Sequence, residues 1–103
     1  QEFGNRTQVR WANLKNSDGR GVTVIADDAV NLSALRYAAE DMDPGLTKKQ
    51  QHPKDIKLHK NVVLSVDLAQ RGLGGDNSWG ALPHDQYRLL GSTYSYGFTI
   101  KPL

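Results

Sequence analysis

The strongest pattern along the chain is an alternation of hydrophobic and polar positions with a period of two, which is typical of β-strands with one buried face. It is clearest over residues 93–103, "TYSYGFTIKPL", and recurs over residues 62–70 and 7–14. The side chains predicted to share one face are Tyr94, Tyr96, Phe98 and Ile100 in the first segment, Val62, Leu64, Val66 and Leu68 in the second, and Thr7, Val9 and Trp11 in the third.

The segments between these strands suggest further short elements joined by turns. Residues 15–21 are polar, and Asp18-Gly19 suits a tight hairpin turn that leads into a strand over residues 21–26. A separate strand is expected over residues 29–37, followed by one or two helical turns that end at Pro44 and Gly45. Residues 46–60 are polar and lack a period, so we expect a surface crossing. Many short strands with such turns predict an all-β, antiparallel β-sandwich.

Length and composition narrow the possible functions. The chain has 103 residues, the size of one domain, so we treat residues 1–103 as a single domain. Its formal net charge of +2 is spread along the chain without the basic stripe typical of nucleic-acid surfaces. There is no cysteine for a disulfide or a thiolate metal site, and we identify neither a bilayer-spanning apolar run nor a signal peptide. Nucleic acid and membrane are therefore not expected partners.

Two motifs resemble ion-binding loops but lack essential parts. "GLGGD", residues 72–76, is followed by an aspartate that would repel phosphate, and Pro83 argues against the helix that a phosphate loop requires. A calcium β-roll needs several such units. "DMDPG", residues 41–45, lacks the later ligand positions of a calcium loop. Turn and capping roles are the better interpretation, and we predict no metal site.

Catalytic groups are also weakly indicated. His84 stands next to Asp85, but no cysteine or serine elbow accompanies them, so a surface or turn-stabilising pair is favoured. Glycoside hydrolysis needs two carboxylates about 5 Å apart or a little more. Glu2, Glu40 and the nine aspartates show no spacing that marks such a pair. We predict no catalytic residue in this chain.

The remaining candidate is Trp79, the largest apolar side chain, placed in the glycine-rich stretch "RGLGGDNSWG" of residues 71–80. One interpretation is a tryptophan that anchors the loop in the core. The other is an aromatic face that glycine flexibility brings to a cleft, where an indole suits the C–H face of a pyranose. Polar side chains would fix the loop by bonding backbone amides. The residues expected to support the loop are Gly74, Gly75, Asp76, Asn77 and Ser78.

Several stretches together resemble the C-terminal end of the large β-galactosidases of glycoside hydrolase family 2. They are "GLGGDNSWG", "ALPHDQYRL", "YSYGFTIKP", the opening "QEFGNRTQVRWANLKNSDGRGVTV" and "NLSALRYAAEDM", in which Leu32 replaces the usual aromatic residue. The resemblance covers essentially the whole chain. A His-x-x-Asp-hydrophobic pattern at His52, Asp55 and Ile56 also agrees, within a stretch that is unusually rich in lysine.

The resemblance implies the last part of the fifth domain of such an enzyme, within a β-supersandwich similar to galactose mutarotase. The catalytic glutamates and the Mg and Na sites of that family lie in a central barrel that this chain does not contain, so no cofactor is expected here. Trp79 would be a platform for a lactose-like β-galactoside. The other expected partners are the remaining domains of the parent enzyme and further copies of the chain, because an incomplete sandwich exposes apolar faces.

Two alternatives remain open beside the role of a substrate-positioning fragment. One is a free-standing carbohydrate-binding module, in which Tyr37 or Tyr87 would add stacking surface to Trp79. The other is a part of the small subunit of a split, two-chain β-galactosidase. A bacterial source is implied, and the absence of cysteine fits the cytoplasm and the periplasm equally.

Overall fold

The computed structural model describes residues 3–43, 45–47 and 52–103. Within those ranges four strands form one antiparallel sheet, and the helical segments are 3-10 turns of three or four residues. The predicted all-β, antiparallel fold class is thereby confirmed as a domain of the β-sandwich type. The strands are β1 (Arg6–Lys15), β2 (Gly21–Leu35), β3 (Val63–Asp67) and β4 (Phe98–Pro102), and the 3-10 turns are Ala39–Met42, Gly45–Thr47, Pro53–Asp55 and Asp85–Tyr87.

β2 is the central strand, and the other three strands all pair with it. β1 follows one edge, while β4 and β3 lie end to end along the other edge, opposite residues 22–26 and 31–35. The prediction of two separate strands over residues 21–26 and 29–37 was therefore wrong. The backbone stays extended between them because the Asp27 N–H donates to the carbonyl oxygen of Gly97 at 3.0 Å, which holds this stretch beside the start of β4.

The predicted hairpin between β1 and β2 is confirmed. Asn16 organises its turn: the side-chain oxygen Oδ1 accepts hydrogen bonds from the backbone N–H groups of Asp18 at 3.0 Å and Arg20 at 2.9 Å. Gly19 has a φ of +79°, a left-handed conformation that favours glycine. The polar sequence of the turn thus satisfies its own backbone donors and fixes the register of the two strands.

A register shift between β1 and β2 divides the side chains that the alternation placed on one face. Val9 pairs with Val30, which is buried, whereas Trp11 pairs with Ile25, which is exposed, and the register shifts between Val9 and Trp11. As a result 65% of the Trp11 surface is exposed, and Ala12 takes the position opposite the buried Val24. The simple alternation predicted for residues 7–14 was wrong because β2 has four residues between Ile25 and Val30, where β1 has one residue between Val9 and Trp11. The three extra residues of β2 break the side-chain parity between the two strands.

The alternation predicted for residues 62–70 is confirmed at Leu64 and Val66, whereas Val62 and Leu68 lie outside β3. Leu64 and Val66 lie opposite Ala34 and Leu32 of β2, whereas Ser65 lies opposite Ser33 on the other face. Because directly paired residues share a face of the sheet, one face here is apolar, and the other combines the polar Ser33–Ser65 pair with the apolar Leu35–Val63 pair.

β4 begins at Phe98, five residues later than the sequence alternation indicated. Tyr96 lies before the strand, and its hydroxyl donates to the carbonyl oxygen of Val66 at 2.9 Å. This hydrogen bond connects the start of β4 to β3. The Tyr96 ring also packs near Phe98, with 6.1 Å between ring centroids. Tyr96 therefore serves as a side-chain bridge rather than as a ladder residue.

A crossing segment connects β2 with β3, and its described part is anchored by Asp41. The Asp41 side-chain oxygen Oδ2 accepts the backbone N–H of Ala38 at 2.6 Å and lies 2.9 Å from Nε2 of His59. The helical turn expected here is the 3-10 turn Ala39–Met42, while Pro44 lies outside the described residues. A second 3-10 turn, Gly45–Thr47, begins where the helical turns were expected to have ended. The exposed residues 52–55 and 57–60 agree with a surface crossing.

The apolar core is small relative to the surface. Its buried hydrophobic side chains among the described residues are Val24, Val30, Leu32, Tyr37 and Met42. The accessible surface is 8410 Å², whereas about 5,800 Å² is typical of a compact monomer of this mass. The radius of gyration is 16.5 Å, against about 13 Å for a compact domain of similar length. The chain is therefore a flat sheet with much of its apolar surface exposed.

The Asp41 contacts predict a stability loss in acid. The hydrogen bond from Ala38 holds the pKa of Asp41 below its ordinary value of 3.8, the contact with His59 adds to this, and partial burial opposes it. A carboxylate with a lowered pKa stabilises the fold above its ordinary pKa, and that contribution is lost as the pH falls through the lowered value. In urea unfolding, Asp41→Asn should therefore be less stable than the parent chain at neutral pH, and the difference should shrink below pH 3.8.

The matched control for this experiment is Asp28→Asn. The Asp28 side chain is 95% exposed and lies 3.8 Å from Arg10, so its substitution should change stability little at any pH. An Asp41→Asn deficit that stayed constant from neutral to acid conditions would contradict the role given to the Asp41 carboxylate.

Candidate functional site

The glycine-rich segment forms a closed loop over residues 72–87. At its base the Gly72 N–H donates to the carbonyl oxygen of Tyr87 at 2.6 Å, and the Tyr87 N–H donates to the carbonyl oxygen of His84 at 2.9 Å. Pro83 is buried beside this base, and a side chain on Gly72 would collide with Tyr87. The loop therefore starts and ends at one point of the structure, although it carries little regular secondary structure.

Two further contacts brace the interior of the loop. Gly75 packs so closely on the returning arm that an added Cβ would lie 2.5 Å from the carbonyl oxygens of Ala81 and Leu82. One residue later, the Asp76 side-chain oxygen Oδ1 lies 2.8 Å from Nε2 of His84. The two arms are thus held together by backbone packing at Gly75 and by a polar pair at Asp76.

The tip of the loop presents Trp79 to solvent. The Trp79 backbone N–H donates to Oδ1 of Asn77 at 2.8 Å, which forms a tight side-chain turn. Gly80 follows with a φ of +94°, so the chain reverses directly after the tryptophan. The Trp79 side chain is 94% exposed. The backbone around this indole is ordered by hydrogen bonds while its ring is left open for contact.

The structure brings the other predicted loop residues into this same unit. Gly74 has a φ of +71° with open space around its Cβ position, and Ser78 is exposed near the tip. The supporting roles assigned to Gly74, Gly75, Asp76, Asn77 and Ser78 remain predictions about function. The sequence had not indicated Tyr87 and Pro83 as closing residues, because their partners are eleven or more positions away along the chain.

The polar side-chain pairs of the loop connect different parts of the loop to each other. His84 pairs with Asp76 instead of its neighbour Asp85, whose side chain accepts from Nη1 of Arg88 at 2.8 Å. The side chains of His84 and Asp76 are 58% and 80% exposed, and they link the two arms of the loop. Over the described ranges no group of three His, Asp or Glu side chains is arranged to hold a metal ion, and no helix is long and apolar enough to cross a membrane.

The fold and the loop together define an all-β, antiparallel domain that presents an exposed aromatic side chain on a braced loop. Residues 1–100 match the family described as "Beta galactosidase small chain". The chain belongs to this β-galactosidase family.

Several curated relatives carry the same family name. A β-galactosidase from Priestia megaterium is 36% identical over 104 residues, which cover 100% of this chain and 10% of the relative. One from Halalkalibacterium halodurans is 33% identical over 90 residues, covering 86% of this chain and 8% of the relative. One from Streptococcus thermophilus is 30% identical over 105 residues, covering 100% and 10%. The chain thus spans about a tenth of these relatives, and no solved structure shows significant similarity to it.

The packing of the loop predicts different effects for two neighbouring glycine substitutions. Gly75→Ala should displace the returning arm, because its Cβ would meet two carbonyl oxygens at 2.5 Å. Gly74→Ala has open space and should cost only about 1 kcal/mol through its left-handed backbone. In NMR spectra, Gly75→Ala should shift the backbone signals of Asp76 and Ala81 strongly, whereas Gly74→Ala should change mainly its own neighbours. Equal and small shifts for both variants would show that the arms are not in contact.

Proposed function

We propose that this chain is the C-terminal part of the fifth domain of a bacterial β-galactosidase, and that it positions substrate for a catalytic centre located elsewhere in the enzyme. Its substrate-binding residue is Trp79, and the ligand is a terminal β-D-galactoside of the lactose type. The observation that carries the proposal is a 94% exposed indole on a hydrogen-bonded loop in a member of the β-galactosidase family. In this proposal the chain is one part of a β-supersandwich, and the rest of the parent enzyme supplies the remaining strands.

The physical reason for such a loop lies in the cost of binding. A flat indole covers the apolar C–H face of a pyranose well only when its position is fixed beforehand. The turn at Asn77 and the pair between Asp76 and His84 supply that order without covering the ring. Binding then removes water from one apolar face of the ligand, while few loop residues lose conformational freedom.

The expected consequence is a binding defect when the platform is removed. Trp79→Ala in the complete enzyme should raise KM for lactose by about tenfold, which corresponds to about 1.4 kcal/mol. A stacking surface used equally by substrate and transition state contributes uniform binding, so kcat should change less than KM. Steady-state kinetics with lactose measure both values.

Trp11→Ala is the matched control, since Trp11 is the other tryptophan and is 65% exposed on the face of the sheet. Its KM for lactose should stay close to that of the parent enzyme. Parent-like KM in Trp79→Ala, or equal increases in both variants, would contradict a specific platform role for Trp79.

The family description favours a second candidate, the small subunit of a split β-galactosidase. The matching family is described as a small chain, and the excess surface of this structure suits contact with another polypeptide. In that role Trp79 would complete the site of a separate large subunit. Both candidates place the catalytic carboxylates outside this chain and differ in whether a peptide bond joins the two parts.

The exposed apolar surface predicts association of the isolated chain. Light scattering should show a dimer or larger assembly, because a flat sheet with 8410 Å² of surface gains by covering its apolar side chains. Mixing with a large subunit should replace that assembly by a mixed complex with β-galactosidase activity if the enzyme is split. A monodisperse monomer at high concentration would contradict the self-association, and an inactive mixture would favour the single-chain enzyme.

Fluorescence of the isolated chain separates both candidates from a free-standing carbohydrate-binding module. In Trp11→Phe the single remaining tryptophan is Trp79, so its emission reports directly on the loop. Saturable changes with millimolar lactose would favour an independent module. A response that appears only with the remaining domains or a large subunit would support a donated platform.

A further inference from the structure

A cavity of about 400 Å³ lies beside the sheet. Trp79, at the tip of the glycine-rich loop, is not one of its lining residues. Its walls come from the residues before β1, from the second half of β2, from β3 and from the segments that follow β2 and β3. Its volume falls within the range of roughly 300–1,000 Å³ typical of small-molecule sites. The polar side chains that line it are Asn5, Ser33, Ser65, Asp67, Gln70 and Arg71.

Asn5 gives this cavity an unmet hydrogen-bonding group. The side-chain oxygen Oδ1 of Asn5 is buried and has no hydrogen-bond partner among residues 3–43, 45–47 and 52–103, while the Asn5 Nδ2 donates to Oε1 of Gln70 at 3.2 Å. The bond to Gln70 fixes the orientation of the amide. A buried acceptor without a partner is uncommon in native proteins, because it has lost its water and gained nothing in exchange. A ligand hydroxyl that donates to Oδ1 would remove this deficit.

The strand register builds the rest of the polar wall. Ser33 of β2 lies directly opposite Ser65 of β3, and Asp67 lies opposite Asn31 on the same face. Each serine hydroxyl both donates and accepts, and a carboxylate accepts from two directions. The wall therefore offers several acceptors and two rotating hydroxyls within one side of the cavity.

Apolar side chains complete the lining of the cavity. Phe3 and Tyr37 pack together with 5.3 Å between ring centroids, and Tyr37 and Met42 are nearly fully buried. The charges of Asp67 and Arg71 balance each other across the lining. A cavity whose lining combines polar and apolar side chains and is neutral overall selects an uncharged molecule with both hydroxyl groups and C–H surface.

We propose that this cavity binds an uncharged polyhydroxylated molecule of about monosaccharide size. Oδ1 of Asn5 accepts one ligand hydroxyl, Ser33 and Ser65 exchange hydrogen bonds with others, and the Phe3–Tyr37 wall contacts the C–H face. The site is separate from Trp79 and does not depend on the function proposed for that residue. Binding in this cavity does not require a galactoside. D-glucose is therefore the probe that distinguishes the cavity from the lactose site proposed at Trp79.

The test is an NMR titration of the isotope-labelled chain with D-glucose, with D-glucuronate as the charged comparison. Saturable shifts are expected at the Asn5 side-chain amide and at the backbone N–H groups of Ser33 and Ser65, with the Trp79 indole unchanged. D-glucuronate should bind at least tenfold more weakly, because its carboxylate would lie among the acceptors of this wall.

Two variants and one control complete the test. Asn5→Ala and Ser65→Ala should each weaken D-glucose binding by about tenfold, and Ser65→Ala keeps the backbone and Cβ of β3 intact. Asn61→Ala, at an exposed asparagine outside the lining, should bind like the parent chain. Absence of saturable shifts at Asn5, parent-like affinity in both cavity variants, or tighter binding of D-glucuronate would each overturn the proposal.

Discussion

The continuous strand β2 is the constraint on which the rest of the structure depends. β1, β3 and β4 all pair with it, and β4 and β3 share the same edge of it. Two hydrogen bonds stabilise the short junction between β4 and β3. The Asp27 N–H donates to the carbonyl oxygen of Gly97, and the Tyr96 hydroxyl donates to that of Val66. If β2 were broken into two strands, β4 would lose its fixed position relative to β3. The direction in which the intervening loop leaves and re-enters the sheet would be lost with it.

That anchoring explains how a glycine-rich loop can be ordered. Arg71 and Leu73 line the cavity on either side of Gly72, and the Gly72 N–H closes the loop on Tyr87. The same few residues therefore form a wall of the cavity and the base of the loop. Gly72 and Gly75 permit close approach of the two arms, whereas Gly74 and Gly80 supply left-handed backbone. Nearer the tip, the contact between Asp76 and His84 holds the two arms of the loop together.

The sequence predicted those parts of the fold that depend on local chemistry. The alternation in β3 and the Asn16–Gly19 turn follow from side-chain parity and turn propensities within a few residues. The exposure of Trp11 follows from a register shift between β1 and β2, and no local signal marks the extra residues of β2. Likewise His84 was considered with its neighbour Asp85, whereas its partner is Asp76 across the closed loop. Local patterns fix elements, but pairing between distant segments decides which side chains meet.

The same distinction separates the two ligand-facing features of this chain. The tryptophan of the loop stands out in the sequence, because a large aromatic residue among glycines contradicts the usual composition of a turn. The cavity residues do not stand out, since Ser33 and Ser65 look like ordinary solvent-facing positions of two strands. Only the register places them opposite each other, in one cavity lining with the buried side-chain oxygen of Asn5. These polar positions form part of a binding site because the chain brings the apolar pair of Phe3 and Tyr37 into the same lining.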